Sequence, residues 1–337
     1  MPPLLSIDNL TVRFDGEDHS LRAVDRVSLD IPRGSVVGLV GESGCGKSVT
    51  AMSILRLVPQ PPGKIESGSI FFDGRDLLQA SLRELRSIRG RQISVIFQEP
   101  MTALSPLQPV VNQLREAVQL HRDVSKKEAS ELALSWLRTV GIPDAESKLS
   151  AYPFELSGGM RQRVMIAMAL MLHPELIIAD EPTTALDVTV QAQILDLLLE
   201  RKEAETSVLL ITHDMGVIWE TCDRVAVMYA SRLVEEGPVK ALFANPLHPY
   251  TEGLLASVPV LNRESDERLP SIPGQVPPLA NLPKGCHFHD RCPYAFDRCR
   301  TEQPPLDAVG RERRAACWLA NERAEEQTAS PGPRAAP

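Results

Sequence analysis

A chain of 337 residues with 43% apolar content can bury a sizeable core, and its length favours two unequal domains over one. With aromatics at 4%, that core must be built from Leu, Ile, Val, Met and Ala. A net charge of −8 lacks the basic surface that displaces counterions from a phosphate backbone, so no nucleic-acid partner is expected.

In chain order, the opening stretches Ser6–Arg13 and Ala23–Ile31 alternate in polarity and stop at Pro32-Arg33-Gly34. They read as an antiparallel subdomain. Short β-branched runs follow at Ser35–Val40, Gln92–Phe97, Leu176–Ala179, Val208–Thr212 and Arg224–Tyr229. Several show no polar alternation, as suits strands buried on both faces. Helical patterns such as Lys126–Val140 and Val190–Ala204 lie between them, which implies an α/β fold with a mainly parallel sheet.

The expected domains are residues 1–258, with a helical subdomain at about 98–172, then a Pro/Cys-rich extension at 259–324. A disordered tail is expected at 325–337. Prolines 270, 273, 277, 278 and 283 exclude regular helix or sheet where they crowd. The longest apolar run, Val164–Leu172, is about half the roughly 20 residues that span a bilayer. The N-terminus lacks the pattern of a signal peptide, so a cytoplasmic location is expected, and the six cysteines read as thiols or metal ligands.

Gly41-Glu42-Ser43-Gly44-Cys45-Gly46-Lys47-Ser48 matches G-x-x-x-x-G-K-[ST] between a strand and a helix candidate at Ser48–Leu57. Its glycines let backbone N–H groups cradle phosphates, and the helix N-terminus favours the anion. Lys47 is expected to reach the terminal phosphates, and Ser48 to bind Mg²⁺. Only the backbone of Cys45 is needed there. The apolar strand Leu176–Ala179 runs into Asp180 and Glu181. Asp180 is a candidate Mg²⁺ holder, and Glu181 a candidate general base toward water.

Leu156-Ser157-Gly158-Gly159-Met160-Arg161-Gln162-Arg163 resembles the signature of ABC transporter ATPases. The resemblance runs from residue 4 to about 258. It implies a P-loop NTPase domain with a mixed sheet core, an antiparallel subdomain and a helical subdomain. In its terms Gln98 is similar to the Q-loop glutamine near Mg²⁺ and the γ-phosphate, and Ala185-Leu186-Asp187 to the D-loop. His213 resembles the switch histidine that holds the γ-phosphate, and Phe14 the aromatic that stacks on adenine. Ser157, Gly158, Gly159, Gln162 and Asp187 would serve ATP bound on the other subunit of a dimer, so each nucleotide is sandwiched. Glu99–Pro106 resembles the region that contacts membrane subunits.

Asn245–Leu255 and the stretch from Gly285 through Cys299 to Cys317 resemble the ATPases of oligopeptide and dipeptide importers, whose relatives include nickel and glutathione systems. The resemblance implies several partners: a second, related ATPase, two integral membrane permeases and an extracytoplasmic solute-binding protein. It implies a peripheral location on the cytoplasmic face of the inner membrane. For Cys286, Cys292, Cys299 and Cys317 it implies a [4Fe–4S] cluster. The spacing matches neither common zinc sites nor ferredoxin runs, and Zn²⁺ or free thiols stay open. Because the phosphate motifs lie elsewhere, this extension is expected to act only as a structural staple. Soluble ABC ATPases of DNA repair or translation carry a coiled-coil insert or tandem units, and this chain has neither.

Overall fold

The structure, a computed structural model, describes residues 2–16, 20–98, 103–183, 188–258, 271–310 and 312–329. In chain order the strands are β1 (Leu5–Asp15), β2 (Ser20–Ile31), β3 (Val36–Val40), β4 (Gly63–Phe72), β5 (Arg75–Asp76) and β6 (Ile93–Ile96). Then come β7 (Leu176–Asp180), β8 (Ser207–Thr212), β9 (Arg224–Tyr229), β10 (Arg232–Pro238), β11 (Asp307–Val309) and β12 (Arg313–Ala315). The five strands expected from the apolar runs all form, with ends shifted by at most two residues. The chain divides into two compact units, residues 1–78 with 212–337, and residues 79–211.

The first unit holds two sheets. One is antiparallel, in the order β2-β1-β4-β5. Its long strands carry bulges, as at Leu10 to Val12, which let an alternating strand keep its apolar side inward while it bends. In the other sheet β3 lies parallel to β9, while β10 runs antiparallel to β9, and β12 to both β10 and β11. This sheet is therefore mixed. Every residue of β3, Val-Val-Gly-Leu-Val, is buried, so it can only be a central strand.

The Cys-rich extension belongs to this unit. Its hairpin β11–β12 extends the mixed sheet, and Phe288 is buried in the same core as Val40, Val227, Tyr229 and Tyr250. Glu235 on β10 is fully buried and ties the extension down. Its carboxylate accepts the N–H groups of Leu247 and His248, each at 2.9 Å, and pairs with Arg313 at 2.7 Å. Such a buried charge is tolerable because each oxygen has a donor. Residues 271–284 hold one 3₁₀ turn, Leu279–Asn281, and no strand or α-helix, in line with their prolines. A final helix, Ala320–Ala329, runs past residue 325, where a disordered tail was expected to begin.

The second unit is a parallel trio, β6-β7-β8, with helices. β7 and β8 are buried throughout, like β3. The helices Leu82–Ile88 and Lys126–Thr139 each start at a capping box, Ser81 with Glu84 and Ser125 with Glu128. In both, the serine hydroxyl accepts the glutamate N–H and the carboxylate accepts the serine N–H, satisfying donors that a helix start leaves unpaired. The helix Gly158–Leu170 buries residues on nearly every side, consistent with its unbroken apolar run.

Candidate functional site

In the first unit, β3 delivers the chain at Val40 to the loop 41–48, and the helix Lys47–Ile54 follows. Gly41, Gly44 and Gly46 have φ of 153°, 79° and 107°, a region that side chains with a Cβ avoid. A Cβ at Gly41 would also strike the Met228 carbonyl, and one at Gly46 the Ala23 carbonyl. Two of the glycines are therefore demanded by packing as well as by backbone angle. Lys47 is 6% exposed, and its Nζ donates to the carbonyls of Gly41 at 2.8 Å and Glu42 at 3.2 Å. Ser43 and Gly44 form the exposed crest. Cys45 is 1% exposed and burial pushes its thiol pKa up, so it is an inert filler. Its carbonyl accepts the Ser231 N–H at 3.0 Å, which fastens the loop to the β9–β10 turn.

Phe14 is half-buried on β1, opposite Gly63 of β4. His213 is exposed just beyond β8. Asp214 next to it caps the helix Met215–Thr221, its Oδ1 accepting from Gly216 at 2.8 Å and Val217 at 3.2 Å. His213 thus projects from a rigid junction.

In the second unit, β7 ends at Asp180, which is 3% exposed, and Glu181 follows with φ of 45°. A glutamate in the left-handed region is strained, and the turn holds it there through the hydrogen bond from its N–H to Ile211 O at 2.9 Å. Gln98, just past β6, donates from Nε2 to Glu181 Oε2 at 3.1 Å. The structure therefore joins two residues that lie 83 positions apart in sequence. Ser157 caps the helix Gly158–Leu170, its hydroxyl accepting the Met160 N–H at 3.3 Å. Ser157 and Gly158 are exposed, so the N-terminal N–H groups of that helix face solvent.

Gln162 departs from expectation. It is 1% exposed and its amide donates to the Pro182 carbonyl. A buried amide bound to its own chain is not free to serve another subunit's nucleotide, so Gln162 braces the carboxylate turn instead. Ala185, Leu186 and Asp187, and residues 99–102 of the Glu99–Pro106 stretch, lie outside the described residues.

Cys286, Cys292, Cys299 and Cys317 line one small cavity with His248, Phe288, His289, Pro304 and Trp318. Burial foremost, with a contribution from the neighbouring thiols, pushes the Cys286 thiol up to about 12 and that of Cys317 up to about 11. Among the described residues, no three or more His, Cys, Asp or Glu side chains are gathered closely enough to hold a single metal ion. Cys222, partly buried against the core, has its thiol raised to about 12 by burial and by Asp223.

Sequence reasoning missed Arg291 and Tyr250. The Glu42 carboxylate receives Arg291 at 2.8 and 3.1 Å, and the Glu42 N–H donates to the Tyr250 hydroxyl at 2.9 Å. One signal was available. An acid at the second position of a phosphate loop repels the ligand unless a cation answers it.

The glycine loop with its lysine fits a triphosphate, and the Ser48 hydroxyl beside it is the kind of hard oxygen donor that Mg²⁺ takes. These features define the class, a P-loop nucleoside triphosphatase. Residues 24–184 match the model of the ABC transporter family, and residues 234–299 that of the oligopeptide/dipeptide transporter C-terminal region. The chain is 53% identical over 320 residues to a probable peptide ABC transporter ATP-binding protein of Sinorhizobium fredii, covering 95% of this chain and 96% of the relative. It is 49% identical to an oligopeptide transport ATP-binding protein of Bacillus subtilis, covering 97% and 100%. Against a dipeptide transport ATP-binding protein of Escherichia coli it is 47% identical, covering 93% and 96%. Among solved structures it resembles a dimeric ATP-binding cassette, MJ0796, in a post-hydrolysis state bound to ADP and Pi, with TM-score 0.62 and 28% identity. That match covers 70% of this chain and 98% of the cassette. The chain belongs to the ABC transporter family of ATP-binding subunits and carries its oligopeptide/dipeptide-type C-terminal region. It is an ATPase that powers transport.

Gly46→Ala should strain the loop by about 1–3 kcal/mol and move the Lys47 end of the cradle. Titration with a fluorescent ATP analogue should then show affinity reduced at least about tenfold.

Proposed function

We propose that this chain drives the import of peptides or similar small solutes from the cytoplasmic face of the inner membrane. The observation that carries the reading is one chain holding both the complete phosphate-loop apparatus and the oligopeptide/dipeptide C-terminal region. Relatives named for peptide, oligopeptide and dipeptide transport match over nearly their whole length. Two permease subunits would anchor it, a related ATPase would complete a heterodimer, and a solute-binding protein outside would deliver the cargo. No described helix is long and apolar enough to cross a membrane.

In this reading the N–H groups of residues 41–48 and the Lys47 ammonium bind the β- and γ-phosphates, and Phe14 stacks on adenine. Ser48, Gln98 and Asp180 would be the residues that hold Mg²⁺, and the ion would offset charge on the phosphates. Glu181 accepts a proton from the attacking water, and Gln98, already bonded to Glu181, orients it. His213 donates to the γ-phosphate. Ser157, Gly158 and Gly159, at the start of their helix, would meet ATP held by the partner ATPase; Asp187, assigned to the same role, lies outside the described residues. Closure on ATP and opening after hydrolysis would move the permeases.

The four extension cysteines would hold a [4Fe–4S] cluster. What supports this reading is that all four thiols line one cavity and that thiolates are soft ligands suited to iron–sulfur centres. The cluster would serve as a staple for a segment of little regular structure.

Glu181→Gln should keep ATP binding and lose all but about 1% of turnover, in keeping with the 10²–10⁴-fold that general base catalysis supplies. Near-normal ATP hydrolysis by that variant would refute the assignment. Chain purified without oxygen should contain about four irons and four acid-labile sulfides. Stoichiometric zinc without sulfide, or no metal, would overturn the cluster.

A further inference from the structure

The phosphate loop is gripped from outside by the Cys-rich extension. Arg291 is 7% exposed and lies in a 3₁₀ turn, His289–Arg291, that ends next to Cys292. Its guanidinium makes a two-pronged pair with Glu42, Nη1 to Oε2 at 2.8 Å and Nη2 to Oε1 at 3.1 Å. The remaining donors are also placed. Nε donates to Pro273 O at 2.9 Å, and the Tyr229 hydroxyl lies 3.4 Å from Nη1. The guanidinium carbon stands 5.8 Å from the centre of the Tyr229 ring and 5.9 Å from that of Phe288. An arginine fork held on so many sides has one rotamer, so it fixes its partner in place.

Two further contacts act on the same loop. Tyr250 accepts the Glu42 N–H, and Tyr250 packs on Tyr229 and Phe288 with ring centres 4.6 and 5.5 Å away. His287 is hydrogen-bonded through Nδ1 to Ala230 O at 2.8 Å, and the adjacent Ser231 N–H holds Cys45 O. The loop is thus held at its second and fifth positions by residues that the extension supports.

The charge matters as much as the grip. Glu42 is a carboxylate in an anion-binding loop, and unpaired it would repel a bound triphosphate. Arg291 pairs with that charge and offsets it.

We propose that Arg291 is a positioning residue for ATP, holding Glu42 so that the extension forms part of the nucleotide-binding machinery. This rests on the reading of Gly41–Ser48 as the nucleotide loop. The extension therefore does more than staple its own segment, as sequence alone implied.

The test is equilibrium binding of a fluorescent ATP analogue to the purified full-length chain, with folding checked by thermal melting. Arg291→Met should raise the Kd about tenfold, because it frees a carboxylate beside the phosphates. Adding Glu42→Gln to that variant should recover most of the loss, since the repelling charge is then gone. A purely structural role predicts no recovery. Arg291→Lys, which keeps the charge and loses the fork, should fall between wild type and Arg291→Met, and replaces it if the latter does not fold. Arg298→Met serves as the control in the same extension. It removes an ion pair with Glu302 at 2.9 Å and a stack on Trp318, and should leave the Kd within twofold. In the assembled transporter, Arg291→Met should raise the KM for ATP far more than it lowers kcat. A folded Arg291→Met with wild-type Kd would overturn the proposal, as would failure of Glu42→Gln to recover binding or an equal loss in Arg298→Met. If Lys47→Ala bound ATP as wild type does, the loop assignment itself would fall.

Discussion

Backbone N–H groups bind a triphosphate well only if they converge before the ligand arrives, and the packing around the loop serves that requirement. Three glycines take left-handed backbone angles that no other residue holds cheaply. Packing against the carbonyls of Ala23 and Met228 leaves no room for a side chain at two of them. The buried strand β3 sets where the loop starts, and the helix Lys47–Ile54 sets where it ends. The strained carboxylate turn at Glu181 follows the same logic in the second unit, where a hydrogen bond to Ile211 and the amide of Gln98 hold it. Preorganisation of this kind puts the cost of ordering into folding rather than into binding.

Much of this was legible in the sequence because it is local. A glycine spacing, a lysine and a strand that ends in two acids are each written in a few adjacent residues. Fully apolar runs marked β3, β7 and β8, since only a central strand in a sheet covered on both faces has no polar side. What was not legible depends on long-range pairing. Nothing local to Arg291 says that it meets Glu42, 249 positions away. Nor does the spacing of Arg313 and Ala315 announce a strand that joins β10. The burial of Gln162 was hidden for a different reason. Its place in a signature suggests an exposed role, and only the fold shows Pro182 in front of it.

The division of the chain also runs against reading order. The extension that follows residue 258 shares a core with the opening 78 residues, because Phe288 lies in one cluster with Val40, Tyr229 and Tyr250, while Glu235 gathers donors from two segments, Leu247–His248 and Arg313. A cysteine-lined cavity next to such a core gains rigidity from its surroundings and returns it through Arg291. Residues 79–211 form the other unit, with the signature helix and the carboxylate turn.

The central claim is that ATP turnover on this chain is coupled to solute import. The most direct measurement places the chain with the permeases and second ATPase proposed for it in sealed vesicles and follows labelled peptide together with phosphate release. Peptide delivered by the binding protein should accumulate only when ATP is supplied on the face that carries this chain, and it should accelerate phosphate release. Accumulation without ATP, or phosphate release that ignores peptide and binding protein, would contradict it.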